Sequence, residues 1–306
     1  MIQFSLRQLQ YFVAAADHES IAEAARSLNV SQPSVSMAVA KLEDQLGVQL
    51  FLRRHAQGVT PTAAGRRLLG EGRELLSHAH EVQESTEAMG LGLAGEINIG
   101  AFVTVAPFYL PRLIRAFETT YPSVRLMLTE DRQDALLNDL AAGRIDCALL
   151  YDHELPAGID KQVLYESLPQ VLLPIDHDLA AAELVSLQDL VEEPMVLLDI
   201  PPSRDYFTGL FVGHGLRPRI SFRTTSFETV RGMVGNGHGF SVLVTRPAGD
   251  LTYDGLPLAI RDIAEDVMPG RVVLARMQAV RPTRLTETVA QFCRDFFPQV
   301  AVAGDA

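Results

Sequence analysis

The hydrophobic and polar positions near the start of the chain follow the period of an α-helix. The clearest case lies between residues 31 and 51, where apolar residues recur every three or four positions: Val35, Val39, Leu42 and Leu46. Ser31 can cap the start of this helix, Pro33 suits its first turn, and Gly47 can end it. The pattern therefore predicts a short helix with one buried face and one polar face.

A second helix, Ile21–Leu28, is predicted just before it, with Ser20 as its cap and Asn29-Val30 as a tight turn between the two. Two helices joined in this way, the second with a polar start, are typical of the helix-turn-helix motif that binds DNA. The positions that would face phosphates and base edges are Ser31, Gln32, Pro33, Ser34 and Ser36. An ordinary helical hairpin, which only packs, is the alternative that the spacing leaves open.

The segments on either side extend this predicted domain. A first helix, Leu6–Ala16, can be capped by Ser5 and has four apolar positions that we expect to face inward: Leu6, Leu9, Phe12 and Val13. The extended pieces Val48–Arg53 and Gly58–Pro61 predict a hairpin wing. Arg53 and Arg54 lie in this wing, where we expect them to contact phosphates; a solvated surface is the alternative for both.

A long helix is predicted from Thr62 to about Met89, and it carries a seven-residue repeat. The repeating positions are Leu68, Leu75, Val82 and Met89, with the small residues Gly72, Ala79 and Thr86 four positions after the first three. At 1.5 Å per residue this helix is roughly 40 Å long. Such a seam predicts pairing with the same helix of a second chain, and packing on its own domain is the alternative. The glycine-rich segment 90–95 then predicts a linker.

From Glu96 onward, strands and helices alternate, which predicts a right-handed, parallel α/β arrangement. The predicted strands are Ile97–Ala101, Val124–Thr129, Asp146–Leu150, Val171–Leu173, Met195–Leu198, Arg219–Arg223, Phe240–Val244 and Val272–Met277. The predicted helices are Pro107–Tyr121, Gln133–Ala142, one near Leu187–Val191, one near Tyr206–His214, Phe227–Val234 and Pro282–Phe297. Crossings near Leu164–Pro169 and Ala264–Pro269 would join two lobes, as in periplasmic-binding-protein-type domains.

In such a two-lobed domain, ligands bind between the lobes, where strands end and helices begin. The candidate effector contacts on the four loops of this kind are Phe102, Val103, Thr104, Arg132, Ser203, Arg204, Thr225 and Ser226. Free amides at the start of the Pro107 helix would attract an anion, and two arginines favour a small carboxylate. One alternative is that Thr104 is a simple helix cap. Another is that each arginine pairs with a nearby acid: Asp131 or Asp205, with Asp152 as a further possible partner of Arg132.

The net charge differs between the predicted DNA-binding segment and the rest of the chain. The 306 residues, enough for two or three domains, carry a net charge of −12, but residues 1–67 hold seven Lys/Arg against five Asp/Glu, or +2, which leaves −14 for the rest. The mildly positive segment is the one with the predicted recognition helix. No apolar run reaches about 18 residues, so we expect no membrane span. The start MIQFSLRQLQ lacks the features of a secretory signal, so we expect a cytoplasmic protein.

Signals for other chemistry are weak. The chain has no GxxxxGK[ST], HExxH or GxSxG motif, and its eight histidines have no metal-binding spacing, so we expect no catalytic residues, metal site or cofactor. The glycine-rich segment 235–239 follows a helix and is interpreted as a helix stop. Cys147 and Cys293 fall in a predicted strand and a predicted helix, where buried, inert thiols are favoured and a redox pair is the alternative.

The N-terminal residues resemble the winged helix-turn-helix of the LysR-type transcriptional regulators. The matching positions are Leu9 and Phe12; Ala24, Ala25 and Leu28; Ser31 to Ser36; Leu42 and Glu43; Leu46 to Val48; Leu50, Phe51 and Arg53; and Thr62 to Gly65. The family usually has an arginine after Ser36, where this chain has Met37, and often a small hydroxyl residue at the place of Arg132. The length and order of the remaining elements also resemble the family.

The resemblance implies a regulator that binds a pseudo-palindromic operator in double-stranded DNA as a homodimer, further assembled into a homotetramer. It implies a DNA-binding domain at 1–65, a linker and dimerisation helix at 66–92, and an effector-binding domain at 93–306. Lobe I would comprise about 93–167 and 267–300, and lobe II about 168–266. A redox-sensing regulator of the same family is one alternative. A solute-binding protein, or an enzyme, on the same two-lobed scaffold is another.

Overall fold

The computed structural model describes residues 4–54, 58–87, 93–247 and 249–304. The chain begins with three helices: α1 (Leu6–Asp17), α2 (Ile21–Ser27) and α3 (Gln32–Leu46). Ser5, Ser20 and Ser31 cap them, and each side chain accepts a hydrogen bond from the backbone N–H three residues further on. Gly47 ends α3 with a left-handed φ of 67°. The three predicted helices and their serine caps are thus confirmed.

The wing follows as an antiparallel hairpin of β1 (Phe51–Arg54) and β2 (Gly58–Pro61). Strand β1 begins three residues later than predicted, because the backbone N–H groups of Leu50 and Phe51 donate to the Glu43 carboxylate at 2.8 and 3.1 Å. Gly58 has a φ of 85°, and a Cβ atom there would lie 2.2 Å from the carbonyl oxygen of Glu19. This close approach fixes the wing against the α1–α2 turn.

Helix α4 (Ala63–Glu87) is the predicted long helix, and Thr62 caps it by accepting a hydrogen bond from the Gly65 N–H at 3.0 Å. Its first turns pack on a small hydrophobic core formed by α1, α2, α3 and the wing. Phe12 is fully buried in this core, with its ring centroid 5.1 Å from that of Phe51. Leu6 is 47% exposed, so its predicted inward position is wrong: the buried positions of α1 begin at Leu9.

The C-terminal part alternates strands and helices. Its strands are β3 (Gly95–Phe102), β4 (Val124–Asp131), β5 (Cys147–Tyr151), β6 (Ile159–Ser167), β7 (Gln170–Pro174), β8 (Leu184–Val185), β9 (Pro194–Leu198), β10 (Arg219–Thr224), β11 (Ser241–Leu243), β12 (Leu258–Ile263) and β13 (Gly270–Met277). Its helices are α5 (Ala106–Thr120), α6 (Gln133–Ala141), α7 (Ser203–Gly213), α8 (Phe227–Gly235) and α9 (Arg284–Gly304). A second, larger hydrophobic core unites these elements.

The first lobe is a five-stranded sheet in the order β4-β3-β5-β13-β6. Strands β3, β4 and β5 are parallel as predicted, but β13 is antiparallel to both β5 and β6. The parallel arrangement predicted for the first three strands is therefore confirmed, and the antiparallel strands are those that cross between the lobes. The reason is topological, because the chain leaves this lobe along β6 and returns to it along β13, and these two crossing strands run in opposite directions.

The second lobe holds the four-stranded sheet β11-β7-β12-β8 and the parallel pair β9 and β10, with a bridge from Met195 to Phe240 between them. The helix predicted near Leu187–Val191 is wrong, since this segment forms turns. The Glu265 carboxylate accepts hydrogen bonds from the Ser186 hydroxyl at 2.6 Å and the Leu187 N–H at 3.0 Å. These bonds fix a turn in a segment that is too short to be a stable helix by itself.

Candidate functional site

The start of α3 presents polar side chains to solvent. Ser31 Oγ accepts from the Ser34 N–H at 3.3 Å and lies 2.7 Å from Ser34 Oγ. Gln32 and Pro33 are exposed, whereas Ser34 and Ser36 are half-buried. Within the described residues, the Gln32 side chain forms no hydrogen bond, so both its amide donor and its acceptor are available. This is the geometry that a base-reading amide needs.

The remaining residues predicted to contact DNA lie in the wing. Strand β1 places the backbone of Arg53 and Arg54 on the hairpin, opposite Val59 and Gly58. The side chains of both arginines lie outside the part of the structure that is described, so their phosphate contacts stay a prediction. Met37, at the position where the family usually has an arginine, is 67% exposed on α3.

Thr104 lies between β3 and α5, at the predicted cleft. Its side chain is buried, and its hydroxyl has no hydrogen-bond partner among the described residues. It is therefore not the simple helix cap that we considered. The expected free amides are present in part: the Val103 N–H donates to the Asp131 carbonyl at 3.2 Å and the Val105 N–H donates to the Phe102 carbonyl at 2.7 Å, whereas the N–H groups of Thr104 and Ala106 have no partner among the described residues.

Tyr151, which the sequence analysis did not select, connects several of these groups. It ends β5, and its ring centroid lies 5.7 Å from that of the buried Phe102 in an edge-on contact. Its hydroxyl lies 3.0 Å from Thr245 Oγ1. Burial raises the pKa of Tyr151, against the opposing effect of the hydrogen bond with the Thr245 hydroxyl, so the phenol stays neutral. The rule that located Thr104, the carboxyl end of a parallel strand, would have found Tyr151 as well.

The two cleft arginines are paired within the chain. Arg132 binds the Asp134 carboxylate through Nε at 3.2 Å and Nη2 at 3.1 Å. It does not pair through its guanidinium with Asp131 or Asp152, since Asp131 accepts from the Arg132 backbone N–H and Asp152 pairs with Lys161.

Arg204 binds Asp205 in the same two-pronged way, at 2.9 and 3.1 Å, and lies 3.6 Å from Asp199. The structure thus shows the alternative in which each arginine pairs with an acid, although the partner of Arg132 is Asp134.

The last cleft residues start helices. Helix α7 begins at Ser203, three residues earlier than predicted, so Ser203 and Arg204 belong to its first turn instead of a loop. Ser226 caps α8 by accepting from the Thr229 N–H at 3.2 Å, and Thr225 is exposed beside it. The next residue, Phe227, contacts Phe108 of α5 with ring centroids 5.1 Å apart. This contact brings the starts of α5 and α8 together across the two lobes.

A cavity of about 470 Å³ lies beside α7 and is lined from both lobes. Tyr151 and Ser203 line one end, and the crossing segment around Met268 forms a wall. The hydroxyl of Tyr206 donates to the Met268 carbonyl at 2.5 Å and ties this wall to α7. The volume falls in the range of small-molecule sites, about 300–1,000 Å³. The other seven predicted effector contacts do not line this cavity.

Both cysteines are buried, Cys147 in β5 and Cys293 in α9. Burial raises the pKa of Cys293 to about 12 and raises the pKa of Cys147 well above its usual range. Because the thiolate is the reactive form, two protonated, buried thiols react slowly with oxidants. In the described part of the chain, no cluster of His, Cys, Asp and Glu is placed to hold a metal ion. None of the described helices combines the length and the hydrophobicity needed to cross a membrane.

The predicted seam on α4 is exposed over its middle part. Leu75 and Val82 are 44% and 67% exposed, whereas Leu68 packs partly against the N-terminal core. A Cβ atom at Gly72 would lie 2.9 Å from Leu9 Cδ1, so this small residue admits α1 of the same chain, not a partner helix. Met89 lies outside the described residues.

Comparison with known proteins agrees with this architecture. Residues 6–66 match the bacterial regulatory helix-turn-helix proteins of the lysR family, and residues 91–298 match the LysR substrate binding domain. The DNA-binding transcriptional dual regulator OxyR of Escherichia coli K12 is 34% identical over 240 residues, which cover 78% of each chain.

Two solved structures extend the likeness to nearly the whole chain. The LysR family transcriptional regulator HinK of Pseudomonas aeruginosa is 42% identical, with a TM-score of 0.66, over 96% of this chain and 99% of its own. A full-length OxyR cysteine variant of Pseudomonas aeruginosa is 26% identical, with a TM-score of 0.76, over 95% and 98% of the two chains.

A helix-turn-helix with a wing, followed by a two-lobed domain with a cleft, defines a DNA-binding regulator that senses an effector. The family matches cover most of the chain and include both of these parts. The chain belongs to the LysR family of transcriptional regulators. Its relatives are transcription regulators, not enzymes.

Proposed function

We propose that this regulator reads a pseudo-palindromic operator with α3 and the wing of two chains and responds to a small molecule held in the cleft of its C-terminal domain. The observation that carries the proposal is the start of α3, where a capped helix presents an exposed Gln32 with no internal partner among the described residues. The name of the E. coli relative, a DNA-binding dual regulator, supports it.

The experiment is a comparison of Gln32→Ala with the wild type on an operator fragment selected in vitro and on random DNA. We expect the variant to lose about 1–3 kcal/mol on the operator and little on random DNA, since a base contact specifies whereas phosphate contacts only position. Gln10→Ala, which removes an exposed amide from α1, is the matched control. An equal loss on both DNAs would show that Gln32 does not read sequence.

We propose the domain division 1–65, 66–92 and 93–306, with lobe I at about 93–167 and 267–300 and lobe II at about 168–266. Two separate hydrophobic cores support it, one built from residues of α1 to α4 and the wing, the other from β3 onward. We propose further that Leu68, Leu75, Val82 and Met89 pair two chains, and that two such dimers form a tetramer. The exposure of Leu75 supports the pairing.

For the effector, Ser203 is supported by the cavity that it lines, and Thr104 by its buried hydroxyl, which has no partner among the described residues but does not line that cavity. A small carboxylate stays a prediction with an added requirement: it must replace Asp134 or Asp205 as the partner of Arg132 or Arg204. Calorimetry on residues 93–306 with small carboxylates and small neutral molecules tests this. If a neutral ligand binds best and neither Arg132→Ala nor Arg204→Ala weakens it, the effector is not anionic.

A redox-sensing regulator is the second candidate, because several relatives are named hydrogen peroxide-inducible genes activators. The burial of Cys147 and Cys293 and their raised pKa values count against sensing through these thiols. Mass spectrometry after mild peroxide treatment decides: oxidation of either thiol at a lower dose than the methionines would favour the redox function. We further propose that the protein acts in the cytoplasm, where its DNA is, and has no catalytic activity.

A further inference from the structure

One side chain joins the DNA-binding domain, the linker helix and the effector-binding domain. Arg73, in the middle of α4, forms an ion pair with Asp17 at the end of α1 and donates a hydrogen bond to the backbone carbonyl of Ala142 in lobe I. Only 9% of the Arg73 side-chain surface is exposed. A guanidinium carries five N–H donors in a rigid fork, so it can hold two acceptors at once.

The backbones fit closely around this contact. Gly143 has a left-handed φ of 66°, and a Cβ atom there would lie 3.4 Å from Arg73 Cβ. A Cβ atom at Gly70 would lie 3.7 Å from the carbonyl oxygen of Ala141. Beside the contact, a space of about 1700 Å³ opens between the two domains, with Asp17, Arg73 and Gly143 in its wall. The backbone of α4 therefore lies close to the end of α6 at this contact.

Ala142 is the C-cap of α6, and the opposite end of this helix lies at the cleft. Gln133, its first residue, accepts a hydrogen bond from the Tyr151 N–H at 3.2 Å. Leu136 and Leu140 are buried and fix α6 to the core of lobe I. A helix of nine residues is about 13 Å long, so α6 spans the distance from the cleft at Tyr151 to the carbonyl that Arg73 binds.

We propose that Arg73 couples the effector cleft to the DNA-binding domain: it ties the C-terminal end of α6 to Asp17 of α1 and so fixes the orientation of the helix-turn-helix relative to lobe I. Without the tie, each DNA-binding domain still binds and stays packed on α4, but its orientation relative to lobe I is no longer fixed. Rigidly held domains require two half-sites at a fixed helical phase, and freely oriented ones tolerate other spacings. The inference rests on the proposed function, binding of an operator with two half-sites, only where half-site spacing is used to measure the coupling.

The first experiment tests the contact without DNA. The full-length double variant Arg73→Cys, Gly143→Cys places two cysteines with Cβ atoms about as close as disulfides require, near 3.5–4.5 Å. We expect mild oxidation to form a disulfide within one chain, identified by peptide mapping, since the native thiols are buried. Each single substitution is the control. A folded double variant that forms no disulfide, or forms it between chains, would overturn the proposal.

The second experiment tests the coupling with Arg73→Ala and with Asp17→Asn. Affinity is measured on the selected operator, on the same operator with five base pairs inserted between its half-sites, and on a single half-site. We expect the insertion to lower the operator affinity of the wild type at least about tenfold, because half a helical turn rotates one half-site away. The loss of affinity in each variant should be at least about threefold smaller than the loss in the wild type. Affinity for the single half-site should stay within about twofold.

The matched control is Arg67→Ala, because this arginine lies on the same helix, is 84% exposed and pairs with Glu71. Its insertion penalty should equal that of the wild type, and any loss of a phosphate contact cancels in the ratio. An unchanged penalty in Arg73→Ala and Asp17→Asn would overturn the coupling. A matching loss on the single half-site would also overturn it, since Arg73 would then only stabilise the DNA-binding domain. Failure of the wild type to bind any operator would instead reject the proposed function.

Discussion

The surface predicted to read DNA and the residues predicted to contact the effector hold their polar side chains in opposite ways. At the start of α3, Gln32 is exposed and has no internal hydrogen bond in the described part of the chain. Among the predicted effector contacts, Arg132 and Arg204 are each bound by a carboxylate of their own lobe. A surface that meets DNA stays hydrated until its partner arrives, so its groups need no internal partners. The two arginines are also solvated, with side chains 56% and 40% exposed, so their ion pairs add positional order more than stability.

The largest effect is expected at a third surface, the exposed seam of α4, which we expect a second chain to cover. Leu75→Asp should weaken pairing of the fragment 1–92 by about 3–6 kcal/mol per dimer, since each chain loses the remaining apolar burial of a leucine that is 44% exposed and brings an unpaired carboxylate into the seam. Sedimentation across concentrations measures it. His80→Asp adds the same charge at an exposed position outside the seam and should not change pairing. A wild-type fragment that sediments as a monomer would reject the seam.

The second prediction separates the two regions by stability. Phe12→Ala should destabilise the DNA-binding domain by about 3–5 kcal/mol, because this ring is fully buried in the smaller core. Calorimetry of the full chain should show this domain melting earlier and the effector-binding domain unchanged. Phe117→Ala, which removes a buried ring of lobe I, should produce the reverse. A single transition whose melting temperature falls equally in both variants would show that the two cores do not unfold independently.

The third prediction concerns two hydroxyls near Tyr151. The Thr104 hydroxyl is buried without a partner among the described residues, so Thr104→Val should leave the free energy of unfolding unchanged or raise it by about 1 kcal/mol. Thr245→Val should lower it by about 1 kcal/mol, because the Thr245 hydroxyl lies 3.0 Å from that of Tyr151. Denaturant unfolding of residues 93–306 measures both. Equal losses in the two variants would show that Thr104 has an internal partner.

The smallest effect is expected at Glu265, beside the crossing segment. Burial would raise the pKa of its carboxyl, but hydrogen bonds from Ser186 and Leu187 outweigh burial and lower it. A lowered pKa stabilises the fold above the unfolded value of about 4.3, and this contribution is lost as the pH falls through the folded pKa. Glu265→Gln should therefore cost roughly 0.5–1 kcal/mol at pH 7, with the difference from the wild type shrinking toward pH 3. The exposed Glu118→Gln should show no such trend.

The sequence was sufficient where structure is local. Serine caps, Gly47 and the apolar period located α1 to α3, because each signal acts within one helix turn. It failed near Leu187–Val191, where Glu265, almost 80 residues away, fixes a turn. It also missed the antiparallel direction of β13, since strand pairing depends on how the chain crosses between lobes.

The candidate sites show the same contrast between local signals and contacts that depend on the folded structure. Ser31 and Gln32 could be selected from a motif, whereas the partner of each cleft arginine depends on side-chain geometry that no spacing encodes. Tyr151 also ends a parallel strand, but its aromatic ring continues the apolar pattern of Cys147 to Leu150, so the sequence gives no sign that its hydroxyl faces the cleft.

The order of the two cores along the chain has a consequence for synthesis on the ribosome. The smaller core is complete once Leu76 has emerged, but lobe I needs β13, which ends at Met277, and then α9. At about 5–20 residues per second, the roughly 200 residues between these points take on the order of 10–40 seconds. During that interval a nascent chain carries a finished DNA-binding domain and an unfinished sensor. Chaperones that cover exposed strands would therefore have to act on β3 to β6 while the first domain is already folded.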